Sequence, residues 1–262
     1  MYDYTHIFNP MNKPEHNTDD IIEKVIKNCE QVLANKNNYE ELDQLIASYY
    51  KSDVISNNVL SNPYIKQNII KLNELMQKYE REYEKQFALE FINHADKKAN
   101  EYIEKYRGMV EEEGKLANLS SGDKVIILGG GALPLTALTY ARVFNANCTC
   151  IDIDQDAIKT STDLIHNLGL TNKITIKYGN ACSYSIKDFD LILVVCLLPK
   201  KPVLKNIFTQ FKKAKVIYRS AIGLYKLWYG ETNEEELSEY SIVKRVNTHK
   251  EFAAESVLVI PK

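Results

Sequence analysis

Glycine is absent from the first 107 residues; all ten glycines of the 262-residue chain lie at Gly108 or beyond. Glycine costs roughly 1 kcal/mol inside a helix, so so long a glycine-free stretch excludes a tightly turned, strand-rich N-terminal half. Neither charge is in excess, with 33 Lys and Arg against 35 Asp and Glu and a net charge of −2. Phosphate neutralisation needs a surplus of cations, so nucleic acid is not expected as a main partner, a structured RNA substrate being the alternative left open. Long apolar runs are also missing. None reaches the roughly 18 residues that span a bilayer, so no membrane association is expected. Met1-Tyr2-Asp3-Tyr4-Thr5-His6 shows no basic region followed by an apolar one, which argues against a secretory signal and for a cytoplasmic protein. Cysteine is scarce and odd in number: Cys29, Cys148, Cys150, Cys182 and Cys196. They read as reduced thiols. Cys148 and Cys150 share a face of a predicted strand with no His or Cys beside them at zinc spacing, so no metal site is expected.

What is present divides the chain at about residue 118. Residues 1–16 read as a flexible leader, 17–118 as an all-helical domain and 119–262 as a Rossmann-like α/β domain. Ile21, Ile22, Val25, Ile26, Cys29, Val32 and Leu33 follow helical spacing. Asn38 is placed to cap a second helix with Leu42, Leu45, Ile46 and Tyr49 inside. Asn62-Pro63 pairs a cap with proline at the first helical position. It opens a long helix bearing Ile65, Ile69, Leu72, Leu75, Met76, Tyr79 and Tyr83 on one face. A further helix is predicted from about Asn93 to Glu113.

In the second part strands and helices alternate. β-rich runs are Lys124–Leu128, Asn147–Asp152, Lys173–Tyr178, Phe189–Cys196, Lys215–Arg219 and Ser256–Ile260. Helical segments fall at about Pro134–Phe144, Asp154–Leu168 and Pro202–Phe211. Leu191-Ile192-Leu193-Val194-Val195 is apolar on both faces, as in the centre of a covered parallel sheet. The pattern predicts a doubly wound sheet whose ligand binds at the carboxyl ends of the strands.

The most informative stretch runs from Val125 through Leu128 into Gly129-Gly130-Gly131-Ala132-Leu133-Pro134-Leu135-Thr136. One glycine suffices for a tight strand-to-helix turn; three in succession point to close backbone approach by a ligand. A dinucleotide fingerprint needs Gly or Ala at its third conserved position, beside a pyrophosphate held by helix N–H groups. Pro134 stands there and donates no N–H. The loop therefore suits a nucleoside ligand without a pyrophosphate, such as S-adenosylmethionine, with Leu133 and Pro134 lining it. Asp152, 23 residues past Gly129, is the candidate acceptor for the ribose hydroxyls, with Ile153 beside it. Asp154 reads equally as the N-cap of the next helix. After the third strand, Asn180 and Ala181 are candidates for the adenine edge, although Asn180 also suits an ordinary turn.

Three features resemble the nicotianamine synthase family, including its shorter prokaryotic members that make opine-type metal chelators. The loop from Gly129 to Thr136 is similar to that family's Gly-Ser-Gly loop running on into Pro, an apolar residue and often Thr. Gly130 takes the place of the serine. Val216-Ile217-Tyr218-Arg219-Ser220-Ala221-Ile222-Gly223 resembles its apolar strand ending in Arg-Ser-Ala-x-Gly, and Tyr240 through Lys262 resembles its tail. In the helical part, Tyr79-Glu80-Arg81-Glu82-Tyr83 falls where relatives carry an apolar-Glu-x-x-Tyr stretch. Tyr102 and Tyr106 fall in a tyrosine-rich segment. The resemblance implies an N-terminal all-helical domain followed by a Rossmann-like, class I methyltransferase-type doubly wound sheet.

It also implies that S-adenosylmethionine is a substrate. The amine of an acceptor amino acid attacks the methylene beside sulfur, takes over the 3-amino-3-carboxypropyl (aminobutanoate) arm and releases methylthioadenosine. Histidine is the first candidate acceptor. Glu80 is the candidate base, the alternative being a solvated charge in an acidic run. Tyr106 is a second catalytic candidate. Arg219 and Tyr102 are candidates for substrate binding, Arg219 by gripping a carboxylate or else as a structural ion pair. A homodimer is kept as a candidate assembly. The competing readings are a small-molecule methyltransferase with a helical lid and a ligand sensor without turnover.

Overall fold

The computed structural model describes residues 17–93, 95–247 and 254–262; the side chains at 93, 95–102, 105 and 247 are outside that set. The expected leader, 1–16, lies outside the described residues. Two compact units emerge. One comprises the chain up to Glu80 together with Ala221–Glu231; the other comprises Arg81–Ser220 and Thr232–Lys262.

In the helical unit, α1 (Thr18–Leu33), α2 (Tyr39–Tyr49), α3 (Asp53–Ser61) and the first part of α4 (Pro63–Asn93) follow one another closely. Asn17 caps α1, accepting from Asp19 N at 3.3 Å, with Asp19 and Asp20 favourably placed in the first turn. Asn62 caps α4 as its Asn-Pro sequence predicts, accepting from Tyr64 N at 2.9 Å and Ile65 N at 3.3 Å. Asn38 does not cap α2 with its side chain. Its amide instead donates back to Asn28, Gln31 and Glu41, where side-chain acceptors outcompete the helix end. Helix α3, absent from the sequence-based expectation, is capped by Ser52, whose Oγ accepts from Ile55 N at 3.3 Å. The buried face of the unit includes Val25, Cys29, Val32, Leu42, Ile46, Val59, Ile65, Leu72 and Met76.

Ala221–Glu231 belongs to this unit although it follows a sheet strand in sequence. Asn73 on α4 donates its amide to the carbonyls of Lys226 at 3.0 Å and Leu227 at 2.7 Å. Gly223 has φ +51, and a Cβ there would lie 1.8 Å from the Tyr50 carbonyl oxygen. Only glycine allows that approach.

The second unit carries a seven-stranded sheet in the order β3-β2-β1-β4-β5-β7-β6. Its strands are β1 (Lys124–Leu128), β2 (Asn147–Asp152), β3 (Ile174–Tyr178), β4 (Leu191–Val194), β5 (Val216–Ala221), β6 (Tyr240–Asn247) and β7 (Ala254–Pro261). The first five pair in parallel. β6 and β7 pair antiparallel, with a register shift between Ile242 and Lys244. β4 and β5 are buried along their whole length, as a doubly covered sheet requires. Helices α5 (Ala95–Ala117), α6 (Leu135–Phe144), α7 (Gln155–Asn167) and α8 (Lys200–Gln210) complete the unit. The continuous core on one side gathers Ile126, Leu128, Ile192, Val194, Leu204, Phe208, Val216, Tyr218, Val257 and Val259.

The compact units thus differ from a division at 118/119. Helix α5 packs on α6, and its Glu113 is enclosed by sheet-unit residues. Residues 221–231 in turn pack on α2 and α3.

Gly223→Ala is expected to lower the unfolding free energy by about 2 kcal/mol or more, since it combines a disfavoured φ with a backbone clash. Urea denaturation checks this, and an unchanged midpoint contradicts the close approach.

Candidate active site

β1 lies between β2 and β4, where the strand order reverses, and its carboxyl end is therefore the switch point of the sheet. The glycine loop leaves from there. Gly129 N and Gly130 N both donate to Ile151 O, at 2.8 and 3.1 Å. Gly131 N donates to Asp152 Oδ2 at 2.8 Å. All three amides are thus used within the protein to fold the loop onto the end of β2. These three amides are therefore not turned toward a phosphate, in keeping with a nucleoside ligand lacking a pyrophosphate.

Each glycine also answers a steric demand. A Cβ at Gly129 (φ +86) would lie 2.5 Å from Val195 Cγ2, and one at Gly130 would lie 2.7 Å from Cys150 Cβ. Gly130, which replaces the serine of related loops, is required here by Cys150. A Cβ at Gly131 (φ +66) would lie 2.8 Å from Glu84 Oε2 on α4. Pro134 precedes α6, its carbonyl accepting from Leu138 N at 3.0 Å. Leu133, between the glycines and Pro134, has a buried side chain.

Asp152 ends β2 and is half-buried. Oδ1 accepts from Asp154 N at 3.0 Å while Oδ2 serves Gly131. These bonds fix the carboxylate in direction and leave lone pairs on both oxygens for ribose hydroxyls. Ile153 is 59% exposed, an apolar side chain next to that acceptor. Asp154 is the cap of α7, accepting from Asp156 N at 2.9 Å and Ala157 N at 3.3 Å. Asn180 makes the turn contact, its Oδ1 accepting from Cys182 N at 2.9 Å, which leaves its Nδ2 donors and a second Oδ1 lone pair. Ala181 is buried, and its carbonyl accepts from Asn206 at 3.0 Å.

After β4, Lys200 stitches the next loop. Its ammonium donates to the carbonyls of Val195 (2.7 Å), Cys196 (2.7 Å) and Leu198 (2.9 Å). Burial pushes this group down to about 8, with Cys196 acting weakly the other way. Because Val195 and Leu198 sit against Gly129, Lys200 also braces the glycine loop. The thiols beneath the loop are inert, since burial raises Cys148 to about 12 and Cys150 well above the ordinary value.

Arg219 lies in the second half of β5, two residues before its end, with its guanidinium engaged inside the protein. It is buried, and donates through Nε to Glu113 Oε1 at 2.8 Å and through Nη2 to Glu113 Oε2 at 2.9 Å. Nη1 donates to Thr136 Oγ1 at 3.0 Å. The structural ion pair is therefore the account that holds, because a buried guanidinium needs a buried anion and Glu113 supplies it. Burial alone disfavours the charge, yet the Glu113 carboxylate holds Arg219 above its ordinary value, aided by Tyr140 and Tyr106. Tyr106, half-buried on α5, is thus within electrostatic reach of Arg219. Tyr102 is on the same helix, but its side chain lies outside the described residues.

In the helical unit Glu80 is half-buried and is not a solvated charge. Its Oε2 accepts from Trp228 Nε1 at 2.9 Å and its Oε1 from Tyr229 Oη at 2.7 Å. Trp228, Tyr229, Glu113, Glu84 and Lys200 were not singled out from the sequence. Glu113 carried a signal, since it shares helical spacing with the buried Met109, Val110 and Ala117. Trp228 carried another, as the single tryptophan, nine residues past Arg219.

Sheet order, saturated glycine loop and acidic end of β2 define a Rossmann-like nucleoside-binding fold of the class I methyltransferase type. The chain belongs to the nicotianamine synthase family: the family described as nicotianamine synthase protein matches residues 17–262. An L-histidine 2-aminobutanoyltransferase of Yersinia pestis is 28% identical over 133 residues, covering 50% of this chain and 50% of that protein. One of the same name from Pseudomonas aeruginosa is 24% identical over 143 residues, covering 53% of each. The match therefore spans about half the length of these curated relatives. The crystal structure of MtNAS in complex with MTA and tNA superposes with a TM-score of 0.77 at 18% identity, covering 95% of this chain and 100% of that one. A mutant of MtNAS in complex with S-adenosylmethionine gives 0.73, with 95% and 99% covered. These two share the fold.

Glu113→Ala is expected to cost about 3–5 kcal/mol, because it strands a buried guanidinium. Denaturant unfolding measures it, and a loss under about 1 kcal/mol would show the pair to be dispensable.

Proposed function

We propose that this chain transfers the aminobutanoate arm of S-adenosylmethionine to the amine of an acceptor amino acid, histidine being the first candidate, and releases methylthioadenosine. The observation that carries this reading is the family match over 17–262, which takes in the helical unit as well as the sheet. The relatives' name, L-histidine 2-aminobutanoyltransferase, supports histidine as acceptor.

In the reaction the amine nitrogen forms a bond to the methylene carbon beside sulfur. The carbon–sulfur bond breaks, its electron pair returns to sulfur, and the nitrogen loses a proton. The sulfonium already supplies the leaving group, so the protein has to position the arm and take the proton. Glu80 is the proposed base, being a carboxylate fixed in direction by Trp228 and Tyr229. Asp152 is proposed to accept from the ribose hydroxyls and Ile153 to lie against the adenine, with Gly129–Gly131 providing the close backbone wall. Tyr106 is proposed to orient the arm. A cytoplasmic setting goes with this reading and is supported by five free thiols.

The purified chain, given S-adenosylmethionine and a panel of amino acids, is expected to yield methylthioadenosine and an acceptor heavier by one aminobutanoate group, read by mass. S-Adenosylhomocysteine as the by-product would instead establish methyl transfer, which the sheet order alone also allows. Glu80→Gln is expected to bind S-adenosylmethionine normally in calorimetry and to lose about 100-fold or more of turnover. Wild-type turnover in that variant rules Glu80 out as the base.

A further inference from the structure

Trp228 is the one tryptophan of the chain and is buried. Its indole N–H meets one oxygen of the Glu80 carboxylate, and its neighbour Tyr229 meets the other. Two adjacent residues thus each take one oxygen of a single side chain. We propose that Trp228 and Tyr229 are positioning residues for Glu80, holding its carboxylate ionised and fixed in direction for removing a proton from the acceptor amine. The inference rests on the transfer reading above.

A free glutamate side chain rotates about three bonds and samples many directions. Donors on both oxygens select one of them and favour the charged form. Such donors are useful only if they are themselves rigid, and these are. Asn73 pins the carbonyls of Lys226 and Leu227, immediately before Trp228. Gly230 N donates to Lys226 O at 3.0 Å, closing the turn just after Tyr229. The Trp228 ring packs at 6.2 Å from Tyr79, which stacks on Tyr39 at 5.0 Å. Tyr229 stacks on Tyr225 at 6.3 Å. A core tryptophan without a positioning role needs only a carbonyl as acceptor; here the acceptor is the residue proposed to react. Among the described residues, the titratable groups on the elements that hold these two donors include Tyr229 and Tyr225, the Lys226–Glu231 ion pair on the same segment, and Tyr39 and Tyr79. Glu84 follows one turn along α4.

Because Trp228 is the only indole, its emission, excited at the red edge where tyrosine does not absorb, reports the state of Glu80 directly. The full chain is titrated with acid as wild type, Glu80→Gln and Tyr229→Phe, with circular dichroism confirming the fold at each pH. Wild type is expected to show one emission change as the carboxylate gains its proton. Glu80→Gln is expected to show none. Tyr229→Phe removes one donor to the charged form, and the change is expected about 0.5–1 pH unit higher. The acid limb of kcat in Tyr229→Phe is expected to move upward by the same amount, with KM for S-adenosylmethionine within about twofold of wild type.

An emission change that survives in Glu80→Gln, or a Tyr229→Phe midpoint and acid limb equal to wild type, overturns the positioning role. The transfer reading fails separately, if wild type releases no methylthioadenosine; the emission comparison still decides what Trp228 and Tyr229 do to Glu80.

Discussion

A carboxylate taken wholly out of water has to be matched on both oxygens, and Glu113 is matched four times. Oε1 accepts from Arg219 Nε and from Ser256 Oγ at 2.6 Å; Oε2 accepts from Arg219 Nη2 and from Tyr140 Oη at 2.8 Å. The donors come from β5, β7 and α6, and the carboxylate from α5. No apolar contact specifies four elements at once in this way, since hydrophobic burial is non-directional. Removing any donor leaves a lone pair of a buried anion unpaired, whereas shifting one helix by an ångström breaks several bonds together. The burial of Tyr140 and the nearby anion both raise its hydroxyl well above the ordinary value, so it serves as a donor throughout the physiological range.

The nucleoside site inherits its geometry from this network. Arg219 also reaches Thr136 in the first turn of α6, so the two segments that most resemble the family, the glycine loop and the strand ending in Arg-Ser-Ala, are joined by one side chain. Between β1 and that anchored turn the chain has only Gly129 to Pro134 in which to turn. The loop satisfies its amides on Ile151 and Asp152 and is wedged on its other side by Val195 and Leu198, which Lys200 holds. What it offers is a flat backbone wall and one oriented carboxylate, which suits a nucleoside with a cationic arm.

Much of this was legible in the sequence, and the rest was hidden for definite reasons. Strands β1 and β2 fell on their predicted bounds, β1 because Val125 to Leu128 is an unbroken apolar run and β2 because Cys148 and Cys150 alternate along it. Asn62-Pro63 and Asp154 announced helix starts because capping is local chemistry. Helix α3 was missed because Asp53-Val54-Ile55-Ser56-Asn57-Asn58 has little apolar periodicity, and the helix is held by its cap and neighbours. β6 was folded into the tail, since its apolar Ile242 and Val243 are exposed beside a register shift. Arg219 was correctly placed on a central strand, although that strand runs on to Ala221. Its partner lies 106 residues away, and no local pattern says whether a guanidinium at a strand end meets a substrate or a buried glutamate. Glu80 read as one charge among several for the same reason: its donors are nearly 150 positions away.

That distance in sequence bears on the chemistry. In the proposed transfer, the amino-acid amine is mostly protonated at neutral pH and must lose a proton before it can attack. A bare glutamate on a surface helix would be ionised but mobile, and one sealed in an apolar pocket would be oriented but inclined to stay protonated. Bonding both oxygens to an indole and a phenol avoids both outcomes. Two donors favour the charged form and fix its direction, and each oxygen retains a further lone pair. Supplying such donors from α4 itself would require large aromatics at positions that the helix uses for packing. The segment 221–231 supplies them instead, and Gly223 and Asn73 fix it where their geometry is set independently of the helix.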